Sequence, residues 1–337
     1  MRGDERDRSR RRGLVIAAVA VLLVAGVGGG AWALGLFSAP ACTGERLGIT
    51  VAAQPEAAPA LSEAAARFNV EAHRVDGRCV TVRVNAVAPT TYIRDRPRAD
   101  AWVPESGLWL GVARSAGLGS VAAGGPSVAA TPVVLAATRP VESEFRANDL
   151  AASWKLLLGR EADGLTLARL AGDPSRNMTG TVAMIAVGQL PGGGKRVAKV
   201  AGDLRRVGPG DLRALTALER EYRGLAVTTE QAVVAYNDAH RPNPLVAMTP
   251  REGTLMLDHP FVVTASDRLR KDAAEAFHAA LGSRTAQETL QRRGFRTPKG
   301  TFTPDQARRH DLPEDQPKAL RLPTRQEIAR ALSSWRA

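Results

Sequence analysis

Two apolar, β-rich runs set the strongest limit on how this chain can fold. SVAATPVVLAAT (127–138) and GTLMLDHPFVVTAS (253–266) each carry a proline near the middle, Pro132 and Pro260. A proline inside a central strand removes a ladder hydrogen bond, so neither run fits as one uninterrupted strand of a single sheet. Both fit better as segments that leave one lobe and enter another. Residues 133–258 then form a second lobe inserted into a first lobe made of 43–132 and 259–337. At 337 residues the chain has room for two such cores.

Within the first lobe, RLGITVAA (46–53) and CVTVRVNA (79–86) read as strands, with an alanine-rich helix over 55–69 between them. ADAWV (99–103) reads as a buried strand and GLWLGVARSAG (107–117) as a helix closed by Gly117. Alternation of this kind predicts an α/β fold with a largely parallel sheet. The second lobe opens with an expected helix, DLAASWKLLLG (149–159), and continues with a strand, LTLARLA (165–171). A polar turn, GDPSRNMTG (172–180), then leads into an apolar helix, TVAMIAVGQL (181–190). Two helices follow Pro260, and TRQEIARALSSW (324–335) forms the last one.

The N-terminal segment MRGDERDRSRRRG (1–13) holds six arginines and three acids, and Leu14–Phe37 follows with 24 uncharged residues. As a helix that stretch spans about 36 Å, enough to cross a bilayer with some tilt. The expectation is a cytoplasmic basic tail (1–13), a transmembrane helix (14–37) and an extracytoplasmic body. An A-x-A pattern at Ala39–Ala41 leaves a cleaved signal open, and Cys42 can be read as a lipoprotein cysteine. All three readings export the body. Export permits a disulfide between the two cysteines, Cys42 and Cys79. If 46–53 and 79–86 are parallel neighbours, both cysteines lie at the starting ends of those strands. Lipidation of Cys42 is the rival.

Net charge is +12, yet only six of the 46 basic residues are lysine, and beyond the first dozen residues the arginines are scattered. A nucleic-acid partner would need a basic stripe, so none is expected. No phosphate loop, metal-ligand spacing or nucleophile motif survives inspection: LPGGGKR has Gln189 and Arg196 where a Walker loop needs Gly and Ser or Thr. No cofactor, no metal site and no enzymatic activity are expected.

Seven stretches, in order, carry a resemblance: LGITVAAQPEAAPALSEAAARF, GRCVTVRVNA, ADAWVPESGLW, SVAATPVVLA, AGDPSRNMTG, PREGTLMLDHPFVV and LQRRGFR. Across 46–296 the chain resembles bacterial extracytoplasmic solute-binding proteins of the type II periplasmic-binding-protein fold. It resembles in particular the substrate-binding segment that often precedes a von Willebrand factor A domain, here without that domain. The resemblance implies two hinged lobes and ligand contacts from loops that follow sheet strands. On this chain those loops are 53–56, 104–109, 130–132 and 173–179.

The candidate ligand-binding residues are therefore Gln54, Glu56, Glu105, Ser106, Trp109, Thr131, Ser175, Arg176 and Asn177. Trp109 is expected as a flat wall of the cleft, with Trp102 anchoring the loop from below. If Glu56 and Glu105 both face the cleft, they disfavour a small oxyanion and suit a polar, zwitterionic or cationic ligand, unless Arg176 or Arg139 offsets them. The function expected is capture of a small polar ligand by a membrane-anchored, extracytoplasmic binding domain, for transport or sensing. The alternative is a cell-envelope interaction or scaffold protein using the same fold with a non-functional cleft. Expected partners are the ligand, the membrane, and a transporter or envelope protein.

Overall fold

The computed structural model describes Cys42 and residues 44–335, apart from 120, 160, 163–164, 175, 208–210, 222, 241 and 243. The expected membrane span at 14–37 and the candidate Ser175 lie outside the described residues. Among the described residues no helix is long and apolar enough to cross a membrane.

The first lobe begins with β1 (Arg46–Ala53), α1 (Ala58–Val70), β2 (Arg78–Ala86), β3 (Ala101–Val103) and α2 (Leu108–Ser115). β1 pairs in parallel with β2 and with β3, and Arg46 stands opposite Cys79. Parallel pairing brings the starting ends of β1 and β2 together, and Cys42 and Cys79 form a disulfide there.

β4 (Thr131–Thr138) carries the chain out of this lobe. The second lobe adds β5 (Ala168–Ala171), α3 (Thr179–Gln189), α4 (Asp211–Glu219), β6 (Gly224–Thr229), α5 (Glu230–Ala239) and β7 (Leu245–Met248). Its sheet order is β7-β4-β6-β5 and then the short pair of residues 205–206. β4 enters against the direction of its neighbours, so it is antiparallel to both β6 and β7. This sheet is therefore mixed, not largely parallel.

The return runs through β8 (Met256–Leu257) and β9 (Val262–Val263) into α6 (Arg268–Leu281) and α7 (Arg284–Arg292). Met256 and Leu257 pair antiparallel with Pro132 and Thr131, and Pro260 bridges Ser127. The two proline-bearing segments thus cross side by side. β9 then pairs antiparallel with β3 at the edge of the first sheet.

Two expectations fail. Only Trp154–Leu157 of 149–159 is helical, as a single 3-10 turn. Asp149 sits at φ +52°, outside the helical region. Glu252 takes hydrogen bonds from the Ser153 hydroxyl (2.5 Å) and the Trp154 N–H (3.1 Å), and the Trp154 indole donates to Gly253 O. These contacts with the return segment override the local helical pattern. The last helix, α8 (Arg325–Ser333), was expected within the first lobe's range of 259–337. It packs instead on α3 of the second lobe, where a Cβ on Gly180 would meet Trp335 at 2.8 Å. The missing side chain of Gly180 is what lets the C-terminal tryptophan seat.

Candidate functional site

The loop after β3 presents Pro104, Glu105, Ser106 and Gly107 at the junction of the lobes. Hydrogen bonds from the return crossing hold it: the His259 N–H donates to Glu105 O (3.1 Å), and the Gly107 N–H donates to Asp258 Oδ1 (2.8 Å). His259 itself is buried, and burial pushes its imidazole down to about 4, so it is neutral at pH 7.

Glu105 is only 3% exposed. Its Oε1 accepts from the Trp109 indole N–H (3.0 Å) and from the backbone N–H of Met178 in the second lobe. Met178 is the N-cap of α3. A carboxyl from one lobe therefore occupies the N-terminal end of a helix in the other, where free N–H groups and the helix dipole favour an acceptor. On the other oxygen, Oε2 accepts from Gln54 Nε2 (3.4 Å), and the same amide nitrogen donates to Glu56 Oε2 (2.7 Å).

A third carboxyl closes the group. Asp211, buried at the start of α4, accepts from Asn177 Nδ2 (3.1 Å) and the Thr179 hydroxyl (3.1 Å). Burial raises the Glu105 and Asp211 carboxyls well above their ordinary values, and nearby Glu56 adds like-charge repulsion to both. Glu56 is raised as well, by burial first, while Arg176 pulls the other way. The site is thus proton-rich and short of cations. Among the described residues, no group of three or more His, Cys, Asp or Glu side chains could hold a metal ion.

A pocket of about 180 Å³ opens beside Glu56, between the start of α1 and the helices α4 and α5. A larger groove, about 870 Å³, lies on the first lobe around Arg98, Asp100 and Arg270. It borders the residues that precede β3, at the end of the sheet away from Glu105, and has no part in the cleft.

The family model described as bacterial extracellular solute-binding protein matches residues 49–296. The chain belongs to this family. A search of curated proteins finds no match. Among solved structures, the sulfate-binding protein SubI from Mycobacterium tuberculosis H37Rv is 18% identical with a TM-score of 0.57, over 84% of this chain and 96% of that one. The ferric binding protein from Campylobacter jejuni is 12% identical with a TM-score of 0.64, over 86% and 98%. A periplasmic thiamin binding protein is 13% identical with a TM-score of 0.63, over 86% and 95%. Each shares the two-lobed fold with this solute-binding protein.

The expected residues divide into two sets. Gln54, Glu56, Glu105 and Asn177 converge, and Arg176 stays exposed but close enough to act on Glu56. Trp109 is buried and spends its indole N–H on Glu105, so it offers the cleft no open face. Trp102, fully buried, stacks on Tyr92 at 4.3 Å beneath the loop. Ser106 Oγ accepts from the Leu108 N–H (3.3 Å), a helix-start contact. Thr131 Oγ1 accepts from the Gln231 N–H (3.1 Å) and so ties the crossing to the start of α5. Sequence reasoning missed Asp211, while Thr179 ends the expected loop 173–179 without having been singled out as a candidate. An aspartate opening the amphipathic segment DLRALTALE was the available signal, but it reads equally as a plain helix start.

Proposed function

We propose that this solute-binding protein is anchored in the cell membrane by residues 14–37 and closes its two extracytoplasmic lobes around a small polar ligand. The captured solute is handed to a transporter or read by a sensor, and the chain acts as a carrier, not a catalyst. One observation carries this reading: Glu105 of the first lobe binds the Met178 N–H of the second, at a junction where the chain crosses twice. Such a contact forms when the lobes meet and breaks when they part, as hinged closure requires. The structural neighbours, a sulfate-binding, a thiamin-binding and a ferric-binding protein, are consistent with small solutes as a class.

The cell-envelope scaffold is the second reading. It draws support from the apolar core, which runs unbroken from Trp102 and Trp109 into Val133, Met178 and Val182 and so joins the lobes without a ligand. Small-angle scattering across a metabolite panel separates the two. Compaction with one or more solutes supports capture, and an unchanged radius of gyration with every solute supports the scaffold.

A further inference from the structure

The pocket beside Glu56 has apolar walls, with Glu56, Gln231, Asp238 and Arg293 as its polar lining. Pro59 and Ala60 face it from α1, and Leu212, Ala232 and Ala235 from the second lobe. Leu212 is 46% exposed, one of few large apolar side chains left open to solvent. Glu56 and Asp238 are the acids of its lining, and Glu56 Oε2 accepts from the Gln54 amide behind it (2.7 Å).

The neighbouring groups do not favour an anion. Arg293 also lines the pocket, but its guanidinium binds Glu63 at 3.1 Å. The first N–H groups of α1 do not serve an anion either, because the Ala57 and Ala58 N–H both donate to Gln54 O (3.0 and 2.9 Å). Glu105 already fills the start of α3. An acidic ligand would therefore meet Glu56 and Asp238, with Arg293 already paired to Glu63 and no free helix end. At about 180 Å³ the pocket is also smaller than the roughly 300–1,000 Å³ of drug-sized sites.

We propose that the ligand is a small organic amine with an apolar body. Its ammonium donates to the Glu56 carboxylate, and its hydrocarbon part lies against Pro59, Ala60, Ala232 and Leu212. This inference rests on the solute-binding reading and names the ligand class of that same site. Charge and hydrogen bonding select the head group, while the apolar walls select the body.

The test is calorimetric titration of the full chain with matched probes: phenethylamine, phenylacetate and 2-phenylethanol, with sulfate, ferric citrate and thiamin as further arms. Binding of phenethylamine but of neither matched probe is expected. Glu56→Gln should weaken it by about tenfold or more, the worth of a charge-assisted hydrogen bond. Leu212→Ser, at a solvent-open position, should weaken it through the body and guards against misfolding of the first variant. Equal binding of phenylacetate, or phenethylamine binding unchanged in both variants, overturns the proposal. Binding of sulfate, ferric citrate or thiamin and none of the amine overturns the amine class while leaving solute capture intact. No binding of any probe overturns both.

Discussion

Replacing Glu105 by glutamine is expected to flatten the dependence of stability on pH. Burial raises the Glu105 and Asp211 carboxyls well above the values of 4.5 and 3.8 that exposed groups show. Between its unfolded and its raised folded value, each carboxyl holds a proton in the native state that the unfolded chain has lost. Stability from such a group is complete below the unfolded value and is lost as pH rises through the folded one. One proton difference corresponds to a slope of about 1.4 kcal/mol per pH unit, so the two groups together reach about 2.7.

Glutamine at 105 keeps an oxygen for the Trp109 and Met178 N–H groups and removes one titration. The slope should therefore fall by about 1.4 kcal/mol per pH unit. Urea unfolding from about pH 5 to pH 8, with the disulfide intact, measures this. His259, pushed down to about 4, contributes the opposite slope below pH 6.5 in both proteins and cancels in the comparison. Parallel slopes for the two proteins would refute the reasoning.

Arg296 is 1% exposed, donates twice to Glu230 (2.7 and 3.0 Å), and also reaches the carbonyls of Gly300, Pro313, Glu314 and Asp315. Arg296→Met should cost about 3–5 kcal/mol in urea unfolding, with part recovered in the double variant with Glu230→Leu. A loss below about 1 kcal/mol would show that the pair is not uncompensated when broken. Reducing the disulfide, which spans a sequence separation of 37, should lower stability by about 3–4 kcal/mol, and an unshifted urea midpoint with dithiothreitol counts against this. Gly180→Val should expel Trp335 and speed tryptic cleavage in 325–333, and cleavage at the wild-type rate would mean that α8 is held elsewhere.

The two-lobed architecture was legible because Pro132 and Pro260 punctuate runs that are otherwise ideal strands. Both are found where strands cross between sheets. The cysteine pairing was legible because parallel strands with a helical crossover must start side by side. What escaped was set by contacts between residues far apart in the chain. Asp211 approaches Glu105 only when the lobes meet, and nothing near either residue encodes that. The stretch 149–159 carries helical periodicity, but Glu252, about a hundred residues on, claims its hydrogen-bonding groups. Trp109 looked like a ligand platform because aromatic residues are scarce, whereas its polar edge is committed to holding Glu105.

The most direct test of hinged closure is a distance across the cleft. Spin labels at Arg67→Cys on α1 and Arg213→Cys on α4, both exposed, report the separation of the lobes by double electron–electron resonance. A hinge latched by Glu105 gives a short and a long population, with Glu105→Ala moving weight to the long one. A single distance, identical with and without that substitution, would contradict it.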